Sequence, residues 1–156
     1  MGRLRDMDEP RWLDAAEQGH WRAYLEGSSR LWERLDRDLK AAHGLTMPEY
    51  EILVRLSEAP GRRLRMAELA AMAYQSRSRL SHTCSRLENK GLVRREACPD
   101  DKRGINAVLT DEGFAVLEQA AKSHVQTVRA HLIDLVSPEE LEVIGKAFTR
   151  IAARAE

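Results

Sequence analysis

The sequence predicts a mainly α-helical chain with a small β-hairpin wing (α+β), a winged helix-turn-helix set between long N- and C-terminal helices. Three observations lead there. Residues 62–110 read in order as a short helix, a polar turn, a second helix and a charged hairpin. Apolar positions recur at helical spacing before this stretch and again after it. No internal repeat or low-complexity linker interrupts the chain, so 156 residues with 43% hydrophobic content fit one domain, 1–156, with a modest core.

Taken in order, a disordered tip is expected to about Arg11. Asp14-Ala15-Ala16-Glu17 has the pattern of a capping box, and a helix should run from there to about Ala42. Within it Trp21, Leu25, Ser28, Trp32, Leu35 and Leu39 alternate spacings of four and three, a heptad-like stripe longer than one small domain requires. It reads partly as core and partly as a seam against a second subunit. His43-Gly44 ends this helix, and Thr46-Met47-Pro48-Glu49 starts another with a complete capping box and a proline in the first turn. Ile52, Leu53 and Leu56 supply its buried face. Pro60-Gly61 stops it, and residues 63–65 can add a short strand to the hairpin.

Met66, Leu69, Ala70 and Ala73 mark the first helix of the helix-turn-helix. Arg65 stands at its N-cap, so Glu68 lacks a capping partner, at a cost of about 1 kcal/mol. Tyr74-Gln75-Ser76 forms the turn, Ser76 caps the second helix, and Gly91 closes it after about Lys90 through the left-handed conformation glycine accepts. A strand follows from Leu92 to about Cys98, a polar loop over 99–104, and a returning strand over 105–109. Gly104 is expected to permit the tight return. Beyond the wing, Thr110-Asp111-Glu112-Gly113 begins a long helix with apolar positions Phe114, Leu117, Ala121, Val125, Val128, Leu132 and Leu135. Ser137-Pro138-Glu139-Glu140 caps the last helix, which carries Leu141, Ile144, Phe148 and Ile151.

The exposed face of the second helix suggests what the unit does. On a helical wheel Leu80, Cys84 and Leu87 make a narrow apolar stripe with Thr83 beside it, while Ser78, Ser81, His82, Ser85, Arg86 and Asn89 fall opposite. Arg79 flanks that face, and Arg77 projects nearer the buried side. Residues 76–86 contain no Asp or Glu, which a merely solvated surface would not explain. Small hydroxyls permit close approach to a DNA major groove, and arginine pairs bidentately with guanine or phosphate. Charge is distributed to match: the chain has formal net charge +0, yet residues 62–103 hold eleven Lys plus Arg against five Asp plus Glu. Arg77, Ser78, Arg79, Ser81, His82 and Arg86 are therefore candidate DNA contacts, with Ser81 and His82 placed to read bases and Arg86 to hold phosphate. At the wing tip Lys102 and Arg103 are two more. Asp101 can brace Arg103 or a backbone amide.

The run LAAMAYQSRSRLSHTCSRLENKGLVRREACPDDKRGINAVLTDEG resembles the MarR family of bacterial winged-helix regulators, in its RLExxGLVRR, DxRG and LTxxG elements and in their order and spacing. The resemblance extends over nearly the whole chain. It implies a homodimer on a pseudo-palindromic double-stranded DNA operator, usually a repressor, released by a small molecule or by oxidation. It implies dimerisation mainly through 14–42 and 111–155, a DNA-binding lobe over 46–110, and Arg103 in the minor groove. It also implies an effector pocket between the two parts, for which His20, Trp21, Tyr24 and Ser28 are candidate lining residues; Trp21 reads equally as core.

Other classes find less support. The sequence has no GxSxG, GxGxxG, GxxxxGK or HExxH motif, so neither an enzyme nor a cofactor is expected. His124 and His131, seven apart, lack clustered cysteine or acid ligands, so no metal site is expected. Cys84 reads as core, whereas Cys98 at the base of the wing is expected to be the more exposed and the better redox candidate. A protein-interaction winged helix and a redox or metal sensor remain the alternative functions. Without a long apolar run, no membrane association is expected and the chain should be cytoplasmic.

Overall fold

A computed structural model describes residues 10–73 and 75–154 of the chain. The chain divides into two units between Glu33 and Arg34, inside the first helix, α1 (Ala15–His43). In the first unit the expected capping box is present: the Asp14 amide donates to Glu17 Oε2 at 2.9 Å and the Glu17 amide to Asp14 Oδ1 at 2.8 Å. Trp21 and Trp32 of the heptad-like stripe are half exposed, at 51% and 49%. Most of the tip expected to lack order, and Tyr74 of the turn, lie outside the described residues.

The second unit holds the core. Leu35 and Leu39 of α1 are buried, as are Ile52, Leu53 and Leu56 of α2 (Met47–Glu58). Fully burying each such side chain contributes roughly 1.5–3 kcal/mol. Thr46 Oγ1 accepts from the Glu49 amide and Glu49 Oε2 accepts from the Thr46 amide, so the capping box at α2 is complete. Beyond α2, a 3-10 turn (Pro60–Arg62) places both Gly61 and Arg62 at positive φ. The strain at Arg62 is met by its guanidinium, which stacks 3.7 Å from the Phe114 ring centroid.

Strand β1 (Arg63–Arg65) forms where expected, followed by α3 (Met66–Met72), α4 (Arg77–Asn89), β2 (Val93–Cys98) and β3 (Asp101–Leu109). The sheet is antiparallel throughout, in the order β1-β3-β2, and its central strand buries Asn106, Ala107, Val108 and Leu109. At the start of α3 the Arg65 amide donates to Glu68 Oε2 at 3.4 Å, while Arg65 offers no acceptor in return. Half the capping box survives with arginine in place of a hydroxyl residue.

Three expectations for the wing need correction. The polar loop is shorter than 99–104: β3 already begins at Asp101, leaving Pro99 and Asp100 as the turn, because a register shift at Ala97/Cys98 lets Cys98 pair with Asp101. Gly104 therefore lies within β3 and does not make the return. Its smallness permits close packing instead, since a Cβ there would stand 2.9 Å from Cys98 Sγ. Cys98 is not the exposed thiol expected; only 6% of it is accessible, and its Sγ lies 3.1 Å from Asn106 Oδ1.

After the wing, Thr110 caps α5 (Asp111–His131) by accepting from the Gly113 amide. The apolar spacing through Leu135 overstates this helix. Leu132 leaves helical geometry at φ −141, and residues 133–135 make a 3-10 turn before α6 (Pro138–Arg154). Along α6, Val143, Ile144, Phe148 and Ile151 are exposed.

Candidate nucleic-acid interface

Helix α4 is fixed at its start by Ser76, whose Oγ accepts from the Arg79 amide at 3.2 Å. Leu80, Cys84 and Leu87 are buried to within 1% of complete, so the predicted stripe sets the helix rotation. Burial also pushes the Cys84 thiol up to about 11, against the opposing charge of Arg95. Thr83 is buried too, its hydroxyl donating to the Arg79 carbonyl. Ser78, Arg79, His82, Arg86 and Asn89 are left exposed, with Ser81 and Ser85 half-buried. Arg77, expected nearer the buried side, is exposed as well: the stripe begins only at Leu80, so the first turn stays open.

Arg86 is not the free cation its helix position suggests. Its Nε donates to Glu49 Oε1 at 3.2 Å and an amino group reaches Thr83 Oγ1 at 3.4 Å. Glu49, 1% exposed, is also held by Lys90 Nζ at 2.8 Å, and Lys90 spans to the Gly44 carbonyl. Burial alone would raise the Glu49 carboxyl, but the hydrogen bonds from Lys90, the Thr46 amide and Arg86 outweigh it and hold the group below the ordinary carboxylate range. This clasp locks α4 to the start of α2.

On the wing, Lys102 and Arg103 are exposed. Asp101 Oδ1 accepts from the Arg103 backbone amide at 3.0 Å, while its other oxygen pairs with Arg65 at 3.5 Å. Of the two bracing modes open from sequence, the amide is the one present. Between wing, α3 and α4 lies a groove of 390 Å³ whose lining includes Arg65, Arg77, Arg95, Arg103, Ser81 and Asp101. Four cations against one carboxylate make it a local positive field beside the exposed helix face.

The MarR family model matches residues 43–104. The crystal structure of AbsC, a MarR family transcriptional regulator from Streptomyces coelicolor, is 49% identical and superposes with a TM-score of 0.90 over 94% of this chain and 98% of that one. The chain belongs to the MarR family of transcriptional regulators. Sco3205, another MarR family regulator from the same organism, solved in complex with DNA, is 50% identical with a TM-score of 0.90, covering 96% of this chain and 92% of that one. The transcriptional regulator HosA of Escherichia coli O111:H- is 34% identical over 99 residues, 64% of this chain and 71% of its own.

In this MarR-family chain the residues that sequence patterns miss are those made important by tertiary structure. Arg95 is one: from β2 it donates to Glu88 at 3.0 Å and to Ser85 Oγ at 3.0 Å and Ser81 Oγ at 3.4 Å. Glu49 and Lys90 are others. Sequence marked Glu49 only as a capping residue and gave no signal of the clasp, because its partners lie 37 and 41 positions away in the chain.

The effector candidates are less gathered. His20, Trp21, Tyr24 and Ser28 are all exposed along α1, Trp21 and Tyr24 stack at 5.6 Å, and the Ser28 hydroxyl donates to the Tyr24 carbonyl. A cleft of 470 Å³ in the second unit is lined by Leu35, Asp38, Ser123, His124, Thr127 and His131 among others. His124 packs its ring 4.5 Å from Tyr50, and burial lowers its basicity. Among the described residues no group of three or more His, Cys, Asp or Glu is placed to hold a metal, and no helix is long and apolar enough to cross a membrane.

Proposed function

We propose that the protein is a homodimeric repressor that reads a pseudo-palindromic operator, with α4 in the major groove and the wing over the adjacent minor groove. The observation that carries this reading is the exposed face of Arg77, Ser78, Arg79 and His82, free of acids, beside a groove lined by four arginines. Residues 46–110 serve as the DNA-binding lobe. The exposed apolar positions of α1 and of α6 supply dimer surfaces, since exposure to water at Trp21, Trp32, Val143 and Ile151 is unfavourable in an isolated chain. Ser81 and His82 select bases; Arg77, Ser78, Arg79 and Lys102 anchor the backbone, with Arg86 dividing its charge between Glu49 and phosphate. No catalytic step is assigned to any residue, and a small-molecule effector acts from α1 around His20, Trp21, Tyr24 and Ser28.

Sequencing the DNA that the purified protein retains from a genomic pool tests the reading. A shared motif with two half-sites about one helical turn apart supports it. Retention proportional to input, with no motif, overturns it. Sedimentation of the same sample should report about twice the 17.7 kDa chain mass.

A further inference from the structure

The hydroxyls of Ser81, Thr83 and Ser85 on α4 do not hold their protons in the same way. Thr83 donates to the Arg79 carbonyl at 3.1 Å and Ser85 to the Ser81 carbonyl at 2.9 Å, each spending its proton on the backbone four residues earlier. Ser81 makes no such bond. Its oxygen instead receives the Arg95 guanidinium at 3.4 Å, while the same guanidinium holds Ser85 Oγ at 3.0 Å and Glu88 at 2.9 Å. Arg95 itself is less than a third exposed, so this fork is anchored at its carboxylate and not free to leave.

Resting on the DNA-reading assignment above, we propose that Arg95 is a positioning residue that sets the hydrogen-bonding sense of Ser81. Guanidinium has only donors, so a hydroxyl facing it turns a lone pair inward and its proton outward. Ser81 then presents a donor to the major groove. Purine N7, guanine O6 and thymine O4 accept that proton, whereas the cytosine amino group offers only another donor. The protein thus prefers an acceptor edge at the base facing Ser81 and disfavours the cytosine edge, through a residue on the wing strand that touches no base.

The test ranks binding to operators randomised at every position of one half-site, for the unaltered protein, Ser81→Ala, Arg95→Lys and Glu88→Gln, with thermal melting of each. Lysine keeps the charge but is a point donor that cannot hold two hydroxyls and a carboxylate in one plane. Ser81→Ala should flatten the preference at one base pair by roughly tenfold. Arg95→Lys should flatten the same base pair, leave the other positions and the salt dependence as they were, and add nothing when combined with Ser81→Ala. Glu88→Gln, which loosens the fork without removing it, should give an intermediate loss and serves if Arg95→Lys melts early. Full preference in both Arg95→Lys and Glu88→Gln, or a Ser81→Ala profile unchanged at every position, overturns the proposal while leaving DNA reading intact. An unaltered protein with no base preference anywhere overturns the DNA reading itself, and this proposal with it.

Discussion

Gly113 sits so close to Leu92 that a Cβ on it would stand 2.1 Å from the Leu92 carbonyl oxygen. That carbonyl also accepts the Thr110 amide at 3.1 Å, and the Thr110 hydroxyl donates to the Gly91 carbonyl at 2.7 Å. The start of α5 is therefore moulded onto the chain that leaves α4. Gly113→Ala places a methyl group against backbone, which cannot rotate aside, and should lower stability by about 2 kcal/mol or more. Urea unfolding followed by circular dichroism measures it; a midpoint equal to that of the unaltered protein would show that α5 can shift outward at no cost.

The Glu49 clasp predicts a particular acid sensitivity. Its carboxyl is held below the ordinary value, so it favours the folded state above about pH 4.3 and loses that contribution as pH falls through the lower native value. Glu49→Gln keeps the shape but removes the charge, and should cost about 1–3 kcal/mol near neutrality. The gap between the two proteins should close as pH falls through the lowered native value. A difference that stays constant with pH would mean that Arg86 and Lys90 do not pair with Glu49 in solution.

Thiol chemistry separates the folded protein from the exposed-cysteine expectation. Cys84 is fully buried with its thiol pushed up to about 11, and Cys98 is packed against Gly104 and Asn106. A thiol reagent near pH 8 should leave both unmodified for as long as the chain is folded, with labelling following the urea transition. Prompt reaction of one thiol per chain under native conditions would restore the redox reading of Cys98.

What was legible in the sequence was whatever one helix or strand decides alone. The stripe Leu80, Cys84 and Leu87 fixed α4 and its face, Thr46 and Ser76 fixed two helix starts, and the spacing of caps and glycines fixed the order of elements. Elements joined across the chain were not legible. Cys98 looked exposed because it sits at the base of the wing, yet beside the register shift it is buried. Arg86 looked free because its wheel position is outward, and a carboxylate 37 residues earlier engages it. Arg95 ends the RLExxGLVRR element, but that pattern names no partner for it; only the approach of β2 to α4 gives it Ser81, Ser85 and Glu88.

Arg103 and Asp101 give the sharpest test of the wing. Arg103 is exposed, so Arg103→Ala should leave folding intact while operator affinity falls by roughly 1–3 kcal/mol for each subunit's arginine removed from the groove. The slope of log affinity against log salt should become shallower by about one for each phosphate no longer neutralised. Asp101 sits among the arginines of the groove, where simple electrostatics predicts that removing its charge tightens DNA binding. The bond from the Arg103 amide to its Oδ1 predicts the opposite for Asp101→Ala, because the wing tip is then without the acceptor that sets its backbone. Asp101→Asn discriminates between the two effects: an amide oxygen can still accept from Arg103, while the negative charge is gone, so this variant should bind at least as tightly as the unaltered protein. Tighter binding by Asp101→Ala, with Arg103→Ala unchanged across a salt series, would leave the wing passive and place the whole of recognition on α4.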